Sequence, residues 1–318
     1  MTASLPQDVQ QVFDRFITTE YTTVDRRGQP ITWPVTPYYT PGAATIDVTT
    51  GLGYPKKADD AAANPKVALL FSEPKGCGLD QAPMVLVQGT AHVDDADLDA
   101  NRERYARESA EKLPATKDMM PPAPLQRMFG WYFTRIYVKV RPERVWVWRG
   151  GADAEPELLD AHLEEVRSGH VEEPAAERVG PRASEPAWDE RLDRLADFPT
   201  AVVSLVGPDG FPFSARVPIA IDRDTRRIRL GQTATGAPMQ PGLACVAVHD
   251  HAPDFTWQRN FHVRGDLVED EQGWAVVPAK LVGGFEVPEG GFVPVLRENF
   301  RKSLRFRKIA KRELAKRT

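Results

Sequence analysis

The amino-acid sequence predicts a mainly β protein with some helix, in which two similar β-barrels are fused within one chain. Short apolar segments that alternate with polar residues recur along the chain, and turns rich in glycine and proline separate them. Several of these segments occur twice in the same order. With 318 residues and 42% hydrophobic content, the chain is long enough for two domains that each have a core.

The first barrel is predicted within residues 1–150. Its segment TRIYVKV, residues 134–140, places Ile136, Val138 and Val140 on one face and charged or aromatic residues on the other, as in a half-buried strand. Further strands are predicted at TIDVTT, KVALLF and MVLVQGTAHV. An alanine-rich helix is predicted between the first two of these strands.

A second barrel is predicted within residues 191–296, and its segments repeat those of the first. TTVDRRGQPITWPV aligns with SLVGPDGFPFSARVP, which sets Pro30 opposite Pro212 at an offset of 182. NPKVALLF aligns with QPGLACVAV, and VQGTA aligns with VRGDL, both at an offset of 176. The second copy therefore lacks six residues between its third and fourth strands, where the first copy carries two lysines.

Two charged segments are predicted to lie outside the barrels. Residues 151–190 contain nine acidic residues and two arginines between Asp153 and Arg178, which is typical of a partly helical surface linker. Residues 297–318 are rich in lysine and arginine and favour a basic amphipathic helix. Such a helix docks by its apolar stripe, pairs with the acidic linker, or binds nucleic acid or anionic lipid.

Composition excludes several classes of protein. The chain has no apolar run of about 18 residues, and its start, MTASLPQDVQ, lacks the features of a signal peptide, so we expect a cytoplasmic protein without a membrane span. Cys77 and Cys245 lie far apart and are expected to be free thiols. The net charge of -4 makes nucleic acid an unexpected partner for the surface as a whole.

The stretch GYPKKADDAAANPKVALLF, residues 53–71, places two lysines in a turn between a strand and a helix. The start of a helix leaves backbone N–H groups unpaired and a positive dipole end exposed, so anions bind there readily. Lys56 and Lys57 add charge at that point. The alternative is an ordinary solvated turn, because exposed lysine pairs are common.

The ordered set of motifs resembles the split β-barrel superfamily, the pyridoxamine 5'-phosphate oxidase-like group of flavin and deazaflavin oxidoreductases. The set comprises a strand with TVD-x-x-G-x-P, a strand that ends in Thr50, a turn with Lys57, a helix, the segment NP-x-V-A-L-L-F and a strand with V-x-G-x-A. Order and spacing hold across residues 13–148. The resemblance implies two fused FMN-binding-type split β-barrels that form a pseudo-dimer within the chain.

The resemblance also implies which residues bind a cofactor. The phosphate would be held by a strand-end hydroxyl and by the basic turn, which correspond to Thr49 or Thr50, Lys56 and Lys57. The strand beneath the isoalloxazine ring and the first residue of the last barrel strand correspond to Trp33, Pro34, Val35, Thr36 and Arg135. The cofactor would be FMN or the deazaflavin coenzyme F420, with haem less favoured.

Two features of this chain depart from the family pattern. Deazaflavin-binding members often carry a further basic residue two positions after the lysine, where this chain has Asp59. Pro34 and Pro37 remove two backbone donors from the ring-facing strand. Both departures predict a site in which phosphate and ring contacts differ from the family pattern.

The implied activity is hydride transfer between the flavin or deazaflavin and a small organic substrate. One functional site is expected, because only the first copy keeps the lysine turn, and the chain is expected to act as a monomer that contains its own pseudo-dimer. No acid or base stands out, so no catalytic residue is predicted. The alternative is a binding or storage protein that holds a flavin, deazaflavin or haem without turnover.

Three histidines are the remaining candidates for site chemistry. His249 and His251 would lie on one side of a strand end and could share a metal ion, but His262 is the one further histidine that could complete such a site. Histidines near strand ends are more often partly exposed polar residues, so no metal site is predicted. A role for His249 or His251 in a substrate pocket stays open.

Overall fold

Two antiparallel β-sheets and a set of peripheral helices make up the fold. A computed structural model describes residues 5–115, 129–160, 188, 190–284, 286–287 and 292–317, with backbone alone for residues 160 and 292–303. The helices are α1 (Gln7–Arg15), α2 (Lys56–Ala63), α3 (Leu98–Lys112), α4 (Gly130–Phe133) and α5 (Phe292–Arg317), with a 3₁₀-helix at Glu190–Asp197. None of the helices in the described ranges combines the length and the apolarity needed to cross a bilayer.

The strands divide between the sheets in chain order. The first sheet contains β1 (Thr19–Val24), β2 (Pro30–Val35), β3 (Ile46–Gly51), β4 (Lys66–Phe71), β5 (Met84–Asp94), β6 (Arg135–Trp148) and β7 (Glu157–Asp160). The second contains β8 (Thr200–Val206), β9 (Pro212–Asp222), β10 (Arg227–Leu230), β11 (Gly242–His251), β12 (Gln258–Asp270) and β13 (Gly273–Gly283). The molecule is therefore mainly β with some helix, in two barrel-like halves.

The two sheets share one strand order. The first runs β2-β1-β4-β5-β6-β3, and the second runs β9-β8-β11-β12-β13-β10 and closes into a barrel because β9 also pairs with β10. Each half also has a register shift at the same place, at Gln88/Gly89 between β5 and β6 and at Arg264/Gly265 between β12 and β13. These two shifts are 176 residues apart, which is the offset found in the sequence.

A glycine at each shift allows close approach of the neighbouring strand. A Cβ atom on Gly89 would overlap the carbonyl oxygen of Arg141, and one on Gly265 would overlap that of Val277. We expect Gly89→Ala and Gly265→Ala each to lower the free energy of unfolding by about 3 kcal/mol, because the bulge must distort to relieve the overlap. Urea unfolding measures this.

A glycine in an open position is the matched control for both substitutions. Gly242, at the start of β11, has no atom within 4 Å of the position that a Cβ would occupy. Gly242→Ala should leave the free energy of unfolding within about 0.5 kcal/mol of the parent value. Equal effects at all three glycines would contradict the steric explanation.

The cores follow the sequence pattern. Ile136, Val138 and Val140 of β6 lie in the core of the first half, as their alternation predicts. The opposite face of β6 is covered as well, because Tyr137 packs with Tyr105 of α3 in a smaller aromatic cluster. The second half has its own core, to which Trp148 of β6 also contributes.

The first half is less completely closed than the second. In the second half, β9 and β10 pair over four residues, from Ile219↔Leu230 to Asp222↔Arg227. In the first half, no pairing joins the corresponding strands β2 and β3 in the described ranges, and one isolated bridge, Tyr38↔Asp47, connects the segment after β2 to β3. The edges of β2 and β3 therefore leave a gap beside the turn that follows β3. The candidate site lies at this opening between β2 and β3.

The halves meet through strands of both sheets. Four hydroxyl groups from β1, β2, β8 and β9 form a closed hydrogen-bonded ring at this interface: Thr22–Thr32 2.9 Å, Thr32–Ser204 2.6 Å, Ser204–Ser214 2.8 Å and Ser214–Thr22 2.9 Å. All four side chains are buried. Thr22 and Ser204, like Thr32 and Ser214, are 182 residues apart, so the ring lies where the two copies of the pattern meet.

The charged segments differ in part from expectation. Most of the expected acidic linker, residues 161–187, lies outside the described residues. The beginning of the expected linker forms the strand β7, which pairs with β6. Leu159 of β7 packs against the first core, while Leu158 is exposed to solvent. The basic helix α5 begins at Phe292, before the expected residue 297.

Candidate functional site

The turn between β3 and α2 is fixed by its neighbours. The N–H groups of Leu52 and Gly53 donate to the carbonyl oxygens of Thr134 and Trp131, at 3.1 and 2.8 Å. The helix α2 then starts at Lys56, and no side chain caps its N-terminus. Because the first turn of a helix lacks intrahelical acceptors for its N–H groups, those of Lys56 and Lys57 remain available to a ligand.

The two predicted lysines have different surroundings. The Lys56 side chain is 49% exposed, and its Nζ lies 2.8 Å from Oδ1 of Asp60 in an i,i+4 ion pair. The Lys57 side chain is half-buried, and its Nζ lies 5.5 Å from the centroid of the Trp33 ring. In the described part of the chain, no carboxylate pairs with Lys57. Burial, together with the charge of Arg135, lowers the pKa of Lys57 to about 8.

Arg135 is a second buried cation in the same region. Its Nη2 donates to the hydroxyl of Tyr105 at 2.7 Å, and its guanidinium carbon lies 4.0 and 4.2 Å from the ring centroids of Tyr105 and Tyr132. Its Nε has no hydrogen-bond partner, and within the described ranges no carboxylate pairs with the guanidinium. Aromatic rings and a neutral hydroxyl stabilise the charge without neutralising it.

The two predicted threonines point to opposite faces of β3. Thr50 is buried, and its hydroxyl donates to the carbonyl oxygen of Tyr54 at 2.6 Å, so it holds the turn. Thr49 is half-buried and lies opposite Tyr137 on β6, two residues from Arg135, so alternation puts Thr49 and Arg135 on one face. Thr49 has no hydrogen-bond partner among the described residues. The structure therefore brings Thr49, not Thr50, to the Arg135 side.

The predicted ring-facing segment lies at the open edge of the first sheet. Trp33, Pro34, Val35 and Thr36 are all half-buried, and β2 pairs with β1 on one side only. Pro34 lies opposite Glu20 in that ladder, so the missing N–H falls within the segment, as the sequence indicates. The Trp33 ring stands edge-on to the His262 ring, with centroids 4.2 Å apart.

His262 of β12 is the residue that the second half contributes beside Trp33. The sequence suggested it only as a possible metal ligand. The imidazole is buried, and its Nε2 accepts a hydrogen bond from Nε of Arg264 at 3.2 Å, which places the proton of the neutral ring on Nδ1. Burial, with the nearby charges of Arg264 and Lys57, holds the pKa of His262 well below its usual value. Among the described residues, Nδ1 has no hydrogen-bond partner.

The other two histidines belong to a separate buried network between the halves. Nε2 of His249 lies 2.6 Å from Oε1 of Glu20, which also accepts from Arg216 at 2.8 Å and from Ser72 at 2.9 Å. His251 contacts Thr18 and the carbonyl oxygen of Ala252 instead. The described ranges contain no group of three His, Cys, Asp or Glu side chains arranged to hold a metal ion.

The basic helix α5 packs directly over the lysine turn. Phe306 stacks on Trp131 with centroids 5.1 Å apart and lies 4.2 Å from the ring of Tyr54. At the end of the helix, Arg317 binds Asp59 at 3.1 Å and Asp95 at 2.8 Å. Asp59, which departs from the family pattern, is thus a partner of α5.

The corresponding place in the second half is filled by side chains. There the loop after β10 passes Trp146 and Trp148 of the first half, whose rings stack with centroids 6.4 Å apart. Nε1 of Trp148 donates to the carbonyl oxygen of Thr235 at 3.2 Å, and Nε1 of Trp146 donates to Gln88 at 3.0 Å. Trp148 is buried in the core of the second half, and Trp146 packs against that core.

Comparison with known proteins gives structural matches alone, since no family model and no curated protein sequence matches this chain. General stress protein 26 from Bacillus anthracis is 18% identical with a TM-score of 0.31, and the match covers 48% of this chain and 99% of that one. A related protein of the pyridoxinephosphate oxidase family from Clostridium acetobutylicum is 12% identical with a TM-score of 0.33, covering 48% and 92%. An F420 reductase is 18% identical with a TM-score of 0.33, covering 44% and 98%. Each of these structures is similar to about half of this chain.

Proposed function

We propose that this protein is a flavin- or deazaflavin-dependent oxidoreductase with one cofactor site, at the opening between β2 and β3. The observation that carries the proposal is a half-buried cation, Lys57, together with a buried one, Arg135; no carboxylate neutralises either of them in the described part of the chain. Burial and, to a smaller extent, the charge of Arg135 lower the pKa of Lys57. Two like charges held together in this way favour an anionic ligand.

The donors around these cations suit a phosphate group. A buried charge without a counter-charge costs several kcal/mol, and a bound anion would offset that cost. The Thr49 hydroxyl and the first N–H groups of α2 add neutral donors, and a helix N-terminus favours negative charge. The Thr50 hydroxyl is occupied by Tyr54, so we assign it to the turn and not to the phosphate.

The ring of the cofactor would lie beside the segment Trp33–Thr36, between the two halves. When bound, the flavin or deazaflavin supplies hydride chemistry. The chain's own residues orient it: Trp33 offers a flat apolar wall, and the Nδ1–H of His262 is a buried donor from the second half. The substrate is a small organic molecule, and no residue of the chain is assigned as a catalytic acid or base.

A tandem duplication accounts for the two halves, and loss of the second site accounts for their differences. We infer copies within residues 1–150 and 191–296, joined by the linker 151–190. The lysine turn is present in the first copy alone, and Trp146 and Trp148 fill the equivalent place in the second. The chain would then act as a cytoplasmic monomer that contains its own pseudo-dimer and binds one cofactor.

Titration of the purified protein with FMN and with coenzyme F420 tests this proposal, with fluorescence as the readout. We expect one of the two to bind at micromolar concentration or below, at one molecule per chain. Two molecules per chain would contradict the single site, and no binding of either would overturn the cofactor assignment. Turnover of the reduced, bound cofactor with added acceptors separates an oxidoreductase from a storage protein.

A further inference from the structure

The helix α5 has one face that is docked on the first half. Phe306 contacts Trp131 and Tyr54, Glu313 is buried, and Arg317 binds the carboxylates of Asp59 and Asp95. These three residues, at spacings of seven and four, lie on one side of a helix with 3.6 residues per turn. The contacts fix which side of α5 faces the protein, and therefore which side faces solvent.

The opposite face of α5 combines positive charge with exposed leucines. The exposed residues on it or at its borders include two leucines and four basic residues, with Leu314 nearest to the docked side: Leu304, Arg305, Lys308, Lys311, Arg312 and Leu314. Leu304 is 59% and Leu314 is 44% exposed, and Leu158 is the one other large hydrophobic residue recorded as exposed in the described ranges. In those ranges, none of the four basic side chains has an ion-pair partner.

We propose that this outward face of α5 binds the anionic surface of a lipid bilayer. Each lysine or arginine near an anionic membrane strengthens binding about fivefold, and leucines beside them enter the boundary between head groups and acyl chains. A nucleic-acid partner would explain the charges but not the two leucines, since phosphate contacts need no apolar side chain. The combination therefore favours a lipid surface.

The geometry suits contact with a plane. Leu304 and Leu314 are ten residues apart, which is about 15 Å along a helix, and the four basic residues lie between them. The helix would lie along the surface, with the two leucines at either end and the charges among the head groups. Because the apolar docked face is already occupied by the protein, binding requires no refolding of α5, and the contacts of Phe306 with Tyr54 and Trp131 would be kept.

Co-sedimentation of the full chain with lipid vesicles tests the proposal. The vesicles are phosphatidylcholine alone and phosphatidylcholine mixed with phosphatidylserine. We expect binding to the mixed vesicles only, weakened by salt. The double variant Lys308→Glu/Arg312→Glu should bind at least about tenfold more weakly, and Leu304→Ser/Leu314→Ser should also lose binding. Urea unfolding of both variants should match the parent, because the docked face is unchanged.

The matched control reverses two exposed arginines elsewhere. Arg26→Glu/Arg27→Glu, in the turn between β1 and β2, makes the same change in net charge and should leave vesicle binding intact. Equal loss in this control would overturn a specific role for α5, as would binding that does not depend on phosphatidylserine. Binding to duplex DNA that needs the charges but not the leucines, without vesicle binding, would assign the face to nucleic acid instead.

Discussion

Replacing Lys57 by methionine should weaken binding of the cofactor by about 1.5–3 kcal/mol, which is the range for a charge-assisted contact. Lys57 and its neighbour Lys56 differ in their surroundings, because Lys56 is exposed and already paired with Asp60. The matched control is therefore Lys56→Met, which should change the affinity by about 0.5 kcal/mol or less. Fluorescence titration of both variants with FMN and F420 measures the difference. Equal losses would contradict the assignment of Lys57 as the phosphate ligand.

The same residue should make binding depend on pH. Burial and Arg135 lower the pKa of Lys57 to about 8 in the free protein, so the ammonium loses its proton as the pH rises through that value. Affinity for an anion should accordingly be full near pH 7 and should fall toward pH 9. Lys57→Arg keeps a charge that does not titrate in this range and should remove the fall. A fall that persists in Lys57→Arg would assign the titration to another group.

Glu20→Ala should lower the free energy of unfolding by about 3–5 kcal/mol, since it leaves the charge of Arg216 in the interface without its partner. The Glu20 carboxylate is fully buried and accepts hydrogen bonds from Arg216, His249 and Ser72, so it joins both halves. Glu269→Ala, at an exposed position of β12, is the control and should have little effect. Urea unfolding measures both. A small loss for Glu20→Ala would mean that the network contributes little to the interface.

The sign of the accompanying pH effect follows from the pKa of Glu20. Burial alone would raise it, but the hydrogen bond from His249 and the charge of Arg216 outweigh burial and lower it from 4.5. Its contribution to stability is therefore complete above pH 4.5 and is lost as the pH falls through the lowered pKa. Glu20→Gln should reduce this acid sensitivity. Identical acid unfolding of Glu20→Gln and the parent would contradict the pKa shift.

Much of the fold could be predicted because its signals are local. Alternation in β6 predicted which residues face the first core, and the aligned segments that pair Pro30 with Pro212 and Gly89 with Gly265 predicted two similar halves. The glycine pair has a clear physical meaning, since each glycine is required by a bulge that a side chain would disturb. Local patterns of this kind can be recognised in a single sequence.

The candidate site could be predicted only in part. The resemblance to the split β-barrel group implied Lys57, Thr49 and Arg135 as site residues, but their differing environments depend on α3, α4 and α5 packing around them. Asp59 is an example: the sequence shows an acidic residue, and its partner Arg317 lies 258 residues further along the chain. No periodicity connects such pairs, so the role of α5 required the structure.

The same limit applies to His262 and to Trp146 and Trp148, which the first half contributes to the core of the second. Both act across the junction of the two halves, where residues from distant strands meet. The unsatisfied Nδ1 of His262 and its contact with Trp33 have no local signature in the sequence. An internal repeat does indicate that the two copies contact each other. The residues of the second copy that align with the site of the first copy are the candidates for such contacts.

The hydroxyl ring of Thr22, Thr32, Ser204 and Ser214 has a consequence for how the two halves respond to solution conditions. With four donors and four acceptors in a closed cycle, each oxygen can give one proton and receive one, so the ring carries no net charge. No group in it titrates in the physiological range, and salt has no charge there to screen. Acid and ionic strength therefore act on the flanking contact of Glu20 with Arg216. The uncharged ring at the centre of the interface should hold the two halves together regardless of pH and salt.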